Sequence, residues 1–338
     1  MTEKKLFDKV NLGRLNLKNR LIRSATAQGH MEPLKYSNEK LYQIYGELAT
    51  GGIGAIITSF PLVDSDYFRE SAELTGEQIY EKITALCHAQ DCPAIAQLVL
   101  VDYLRAENKR KVDIDNMTGD DIEAVVDMFA TAAERAEKAG YKGVQIHAAH
   151  GLFLSRFISP AYNHRTDIYG GSIDNRSKII LDIMQEIRNR SPHLHISMKI
   201  NCSDFVDGGL TPEDSLMVCK LCASARIDSI EVSGNGSSAP GIRAGVNESY
   251  YKDFALRLSE EVNIPVILVG GNRSIDSMES ILNKGNIECF SLSRPLIREP
   301  NLPLRWANGD TAPAKCVSCN MCYQTPWQDC IFHIRDYE

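Results

Sequence analysis

Eight short apolar runs recur along the chain, at 20–25, 54–59, 94–99, 143–147, 196–200, 229–232, 265–269 and 289–292. Each suits a strand buried on both faces of a sheet. Stretches with helical periodicity lie between them, at 38–50, 77–90, 120–140, 175–190, 212–225, 249–262 and 275–284. The stretch 120–140 is the clearest: Ile122, Val125, Val126, Phe129, Ala132 and Ala133 recur at threes and fours, and Gly140 stands where a helix stops. Thr211-Pro212-Glu213-Asp214 reads as a helix start, with a capping hydroxyl, proline in the first turn and acids near the positive helix end. Parallel strands need a crossover each time, so this alternation predicts a parallel sheet. Eight units favour an α/β fold closed as a (β/α)8 TIM barrel over an open, doubly wound sheet. Gly52-Ile53-Gly54 is no dinucleotide fingerprint, because its third glycine is missing and it runs into a strand instead of leaving one. The 338 residues fit one barrel domain, 1–338, with a cysteine-containing tail at 312–338.

In such barrels the chemistry sits where strands end on one face. The strand ends here carry Ser24, Ala25, Thr26, Ala27, Thr58, Ser59, Gln97, His147, His150, Lys199, Gly270, Gly271, Ser293 and Arg294. The barrel centre is expected to be packed by branched apolar side chains. His147 and His150, three apart at a strand end, can point into one cleft and supply donors to an oxyanion or carbonyl. Zinc is the competing use, but no carboxylate or third histidine lies close in sequence to complete a set.

Lys and Arg number 37 against 44 Asp and Glu, a net charge of −7, and the cations are dispersed. That argues against a nucleic-acid partner, which needs a concentrated basic footprint, but leaves room for a local phosphate site. No run approaches the ~18 apolar residues of a membrane span, and the start has no apolar leader core. Six cysteines, 87, 92, 202, 219, 222 and 289, fall in helix- and strand-like runs and read as small buried residues. A reducing, cytoplasmic setting is the expectation, with no membrane partner; a homo-oligomer is compatible with the sequence. The remaining four form Cys316-Val-Ser-Cys319-Asn-Met-Cys322 with Cys330 beyond, a spacing that can hold zinc or an iron–sulfur cluster. The reading adopted is a turn that keeps the spacing without the metal, with an iron–sulfur cluster as its alternative.

The run 147–176, with His147, His150, Asn163, Arg165, Asp167, Tyr169, Gly170, Gly171, Asn175 and Arg176, resembles the signature stretch of the old yellow enzyme family. Leu17-Lys18-Asn19-Arg20 leading to Ser24-Ala25-Thr26 is similar to that family's first strand, and Ala96-Gln97-Leu98 to its third. Ser203-Asp204-Phe205 with Asp207-Gly208-Gly209 resembles the loop after the fifth strand, and Ser291-Leu292-Ser293-Arg294-Pro295 the eighth. The likeness is in order and covers essentially the whole chain; it extends to the barrel domain of 2,4-dienoyl-CoA reductase, whose larger relatives carry a cysteine cluster in the comparable place.

The resemblance implies FMN as cofactor and NAD(P)H as reductant. Ser24, Ala25, Thr26 and Ala27 would contact the isoalloxazine through the backbone, with Ser59 alongside, and Gln97 would bond its pyrimidine end. Lys199 would place positive charge near N1 and O2, and Gly270, Gly271, Ser293 and Arg294 would hold the phosphate. His147 and His150 would grip the oxygen of an electron-poor small molecule, such as an α,β-unsaturated carbonyl, reduced by ping-pong hydride transfer. Two departures qualify this. Leu152 stands where relatives often carry a proton-donating tyrosine, which leaves Tyr67, Tyr103, Cys202 or water for that role, and the residues after Gln97 lack the usual His and Gly. The alternative is therefore a flavin-binding barrel whose reductase activity has decayed. A third reading is an aldolase-type barrel that uses Lys199 for Schiff-base chemistry.

Overall fold

In chain order the elements are β1 (Val10–Leu12), β2 (Leu15–Leu17), β3 (Leu21–Arg23), α1 (Asn38–Thr50), β4 (Ala55–Pro61), α2 (Gly76–His88), β5 (Ala94–Val99), α3 (Gly119–Lys138) and β6 (Gly143–Ala148). There follow α4 (Phe153–Ile158), α5 (Ile173–Arg190), β7 (His195–Asn201), α6 (Pro212–Ser224), β8 (Ser229–Ser233), α7 (Lys252–Glu261) and β9 (Val266–Val269). The last are α8 (Ile275–Leu282), β10 (Ile287–Leu292), α9 (Arg294–Arg298), α10 (Leu302–Ala307) and α11 (Ile331–Arg335). This is a computed structural model, and it describes residues 3–26, 38–61, 76–105, 110–235 and 242–335. Each of the eight apolar runs is a strand. They close in the order β10-β3-β4-β5-β6-β7-β8-β9, every pairing parallel, so the chain is a (β/α)8 barrel.

Local chemistry sets several boundaries. Thr211 caps α6, its hydroxyl accepting the Asp214 N–H at 3.1 Å with Pro212 in the first turn. Thr118 and Asp121 form a reciprocal capping box at the start of α3. After α3 the chain turns at Gly140 with φ +90°, where a Cβ would lie 2.9 Å from Thr84 Oγ1. The predicted helix at 249–262 starts later, at Lys252, because Ser249 takes φ +50° and Tyr250 N–H is bonded to the Gly270 carbonyl at 3.0 Å.

The hairpin β1–β2, which no sequence pattern foretells, closes one mouth of the barrel. Val10, Leu12, Leu15 and Leu17 form one buried cluster with Ile22, Ala55, Ile57, Ile95, Ile267 and Cys289 from the barrel interior. At its tip Arg14 Nε lies 3.1 Å from Asp228 Oδ1, and its guanidinium donates to the Pro192 carbonyl at 2.8 Å. Both partners precede strands, so the plug sits at the N-terminal face.

The expected apolar centre holds only on that side. Across β6, β7 and β8 the inward positions are polar: Gln145, Ser197, Lys199, Ser229 and Glu231, all buried. His195 Nε2 and Ser229 Oγ are 2.9 Å apart, and Ser229 donates to Ser197 at 3.0 Å. Such groups are tolerated because each finds a partner across the barrel. The six cysteines expected in the core are buried, and burial raises the thiols of Cys87 and Cys222 to about 12.

Candidate active site

A polar cluster fills the barrel at the ends of β3, β5, β6, β7, β8 and β10. Its centre is Glu231, 0% exposed in the middle of β8. Glu231 Oε1 accepts from Ser24 Oγ at 2.9 Å and from Ser291 Oγ; Oε2 accepts from Gln145 Nε2 at 2.8 Å and faces Lys199 Nζ at 3.2 Å. Lys199 Nζ also donates to Ser24 Oγ at 2.8 Å. Gln97 Nε2 donates to Gln145 Oε1 at 2.7 Å. Burial pushes the Glu231 carboxyl up, but Lys199 and the three side-chain donors outweigh it, and the group lies below the usual carboxylate range. Lys199 is no surface cation, since the residue is 3% exposed.

The two histidines meet as expected, their rings 5.1 Å apart and nearly perpendicular. The chain folds back after β6 because His150 and Gly151 both take positive φ, +62° and +71°. His147 Nδ1 accepts the Ala149 N–H at 3.2 Å, which puts the proton of the neutral ring on Nε2. His150 is held by its backbone N–H on Asn201 Oδ1 at 3.0 Å and by Nε2 against Ser233 Oγ at 2.9 Å. Burial drives the His147 pKa well below that of a free imidazole, and burial followed by the Lys199 charge lowers His150 to about 4. Both rings are therefore neutral near pH 7 and able to give an N–H to an oxygen.

The first and last strands bring Thr26 and Ser293 together, Oγ to Oγ 2.8 Å, and Arg23 bonds the Ser293 carbonyl. Ala25 packs against the inner apolar cluster, and Ser59 pairs in register with Gln97. Thr58 faces the helices instead, bonded to the Tyr141 hydroxyl at 2.8 Å. Ala27 and Tyr67 lie outside the described residues. Of the other proton-donor candidates, Tyr103 directs its hydroxyl to Asp121 at 3.2 Å, and burial raises the Cys202 thiol to about 11. Leu152 precedes α4 and supplies only its backbone, to the Ala149 carbonyl at 3.3 Å.

Gly270 and Gly271 form a turn after β9 with φ +109° and +76°, and a Cβ on Gly271 would lie 2.6 Å from Tyr250 Cε1, so only glycine fits there. Arg294 bonds Asn320 in the cysteine loop, with Nη2 3.5 Å from the hydroxyl of Tyr250, whose ring packs on this turn. Arg273, to which no sequence signal points, is fully buried and bonded to Ser318, while its Nε and Nη1 have no hydrogen-bond partner among the described residues. A buried guanidinium with orphaned donors fits an anion, and it stands two residues after the glycine turn. Gln145 and Glu231 likewise join the site without having been singled out by the sequence.

The tail folds over the same end of the barrel. Cys316, Cys319, Cys322 and Cys330 line one small pocket with Arg294 and Arg298. Burial, and then the nearby Cys316, raise the Cys322 thiol. Among the described residues no three His, Cys, Asp or Glu side chains are arranged to hold a metal ion. No helix among the described residues is long and apolar enough to cross a membrane.

The sequence model of the NADH:flavin oxidoreductase / NADH oxidase family matches residues 5–311. An NADH-dependent flavin oxidoreductase of Talaromyces variabilis is 28% identical, with 86% of this chain aligned to 83% of that protein. An NADH oxidase of Thermoanaerobacter brockii is also 28% identical over 94% of this chain, but the chain spans only 53% of its length. Among solved structures, morphinone reductase in complex with tetrahydroNAD superposes with TM-score 0.70 at 20% identity over 92% of both chains. A 2-naphthoyl-CoA reductase gives TM-score 0.79 at 20% identity over 93% of this chain and 54% of its own. At these identities the structural matches carry the fold.

Proposed function

Since the chain belongs to the NADH:flavin oxidoreductase / NADH oxidase family, we propose that it is an FMN-dependent NAD(P)H oxidoreductase that reduces an electron-poor small molecule by a ping-pong scheme in one shared pocket. The observation that carries this reading is the neutral, buried His147 imidazole with the neutral His150 ring 5.1 Å from it, beside a buried ammonium at one barrel mouth.

The residues fit FMN. Lys199 has two partners among the described residues, Ser24 and Glu231, which leaves one N–H for a ligand at the pyrimidine end. Gln97 offers its amide alongside, and Ser24, Ala25, Thr26 and Ser59 line the same mouth. The glycine turn and the Arg273 guanidinium, whose Nε and Nη1 have no partner among the described residues, suit the phosphate, with Ser293 and Arg294 as further candidates. The chemistry that FMN supplies when bound is two-electron transfer between the nicotinamide and the acceptor.

The chain's own part is to bind, orient and polarise. His147 would present Nε2–H, and His150, anchored by Asn201 and Ser233, would present its ring beside it, to a carbonyl or nitro oxygen of the acceptor. Neutral donors suit this role, because they favour charge growing on that oxygen without placing a competing cation in the site. No side chain at Leu152 can protonate the acceptor's carbon, and Tyr103 is committed to Asp121, which leaves Tyr67, Cys202 or solvent as the proton source in this scheme.

The test is anaerobic reduction of the purified protein with NADH or NADPH, followed by addition of an activated alkene. Reoxidation should follow with parallel-line kinetics, and H147A and H150A should each slow the second half-reaction by ~10²-fold or more while leaving the first measurable. Reduced protein reoxidised by oxygen alone would favour the flavin-binding barrel with decayed activity, for which Leu152 is the specific observation.

A further inference from the structure

Glu231 sits where no ligand contact needs it, yet it ties together Ser24, Lys199 and, through Gln145, Gln97. We infer that Glu231 is a positioning residue that sets both the redox potential and the affinity of the cofactor, by compensating Lys199 and by fixing which way the Gln97 amide faces.

Lys199 and Glu231 form an ion pair at 3.2 Å with side-chain exposures of 3% and 0%. Solvent screens such a pair little, so anything bound beside Lys199 feels the pair rather than a lone cation. Negative charge arrives with reduction of FMN, and an uncompensated ammonium would favour the reduced form more than the paired one does.

Donors and acceptors then fix the orientation of the amides. An ionised carboxylate only accepts, and Glu231 has about four acceptor sites, which Ser24, Ser291, Gln145 and Lys199 fill. Gln145 must therefore turn its NH₂ toward Glu231 and its carbonyl toward Gln97. Gln97 must in turn give Nε2–H to Gln145, at 2.7 Å, which leaves its own carbonyl oxygen and second N–H for the ligand. The polarity of the contact on β5 is thus dictated by the charge on β8, through β6. A neutral amide at 231 could face either way and would let both glutamines invert.

This rests on the reading of Lys199 and Gln97 as flavin contacts, and the variants separate the two. The experiment measures the two-electron midpoint potential of the FMN-loaded protein and the FMN dissociation constant of the stripped protein for wild type, E231Q, Q145L and K199M. E231Q should raise the midpoint by about 30 mV, a tenfold shift in the preference for the reduced form. Q145L keeps the ion pair and cuts the relay, so it should weaken FMN binding about tenfold with a smaller change in potential. K199M should lower the midpoint, and the E231Q/K199M double variant should return toward wild type, since the two charges are coupled. E231Q and Q145L both indistinguishable from wild type, with K199M shifted, would overturn the role of Glu231. All three unchanged would instead overturn the placement of FMN against Lys199 and Gln97. If E231Q does not fold, Q145L and E231D, which retains the charge and should keep the potential within twofold of wild type in reduced-form preference, decide the question.

Discussion

His147 and His150 do their proposed work as neutral rings, and that neutrality has a measurable stability consequence. The folded-state pKa of His150 is depressed to about 4, and that of His147 lies well below the usual value, burial being the main cause in both. Above pH ~6.5 folded and unfolded chains are alike in leaving these rings unprotonated, so the full stability is present. As pH falls below that, the unfolded chain takes protons that the folded one refuses, and stability drops until about pH 4 for His150. The slope is at most about 1.4 kcal/mol per pH unit for each such group, and less for His150, whose partial exposure to solvent weakens the effect. H150Q should therefore flatten the pH dependence of urea unfolding between about pH 6.5 and 4 by a fraction of that amount; an unaltered slope would mean that His150 protonates freely in the folded protein. At this scale much of the site was legible from sequence. Ser24, Gln97, His147, His150 and Lys199 announce themselves as polar residues at the ends of apolar runs. Glu231 did not, because it lies inside a run counted as apolar, and its compensation comes from strands distant in sequence. The available signal was a charge on the inward alternation of a doubly buried strand, in the same phase as Ser229 and Ser233.

The strands and longer helices were legible for the same reason that they are stable: period and caps agree, as at Thr211 and Gly140. Short elements escaped. β1 and β2 have three residues each, too few to establish an alternation, and α4 has six. What stabilises the hairpin is burial against the barrel, a long-range fact that no local pattern records. Leu12 is 0% exposed in that cluster. L12A should lower the unfolding free energy by about 2–5 kcal/mol, because the floor of a barrel has little freedom to collapse into the space left behind. Chemical denaturation checks this, and a loss under about 1 kcal/mol would mean that the plug is dispensable. FMN binding at the opposite mouth should survive the change.

For the molecule as a whole, the composition of the visible spectrum is the decisive readout. Flavin absorption alone is expected from the purified protein; additional broad absorption lost on acid treatment together with iron and sulfide would assign a cluster to Cys316, Cys319, Cys322 and Cys330, whose pocket lies against the same end of the barrel. The barrel's closure was predictable from counting eight units, but not the place where the ring is joined. That join is β3 against β10, three residues in register, with Ser24 N–H on the Leu292 carbonyl at 3.0 Å and Phe290 N–H on the Arg20 carbonyl at 2.9 Å. Ser24 and Thr26 stand on one side of it, Ser291 and Ser293 on the other. A cofactor held by both sides would act as a buckle between the first and last strands of the barrel. Its binding energy would then count toward keeping the ring shut, and a chain without it would part first along that line.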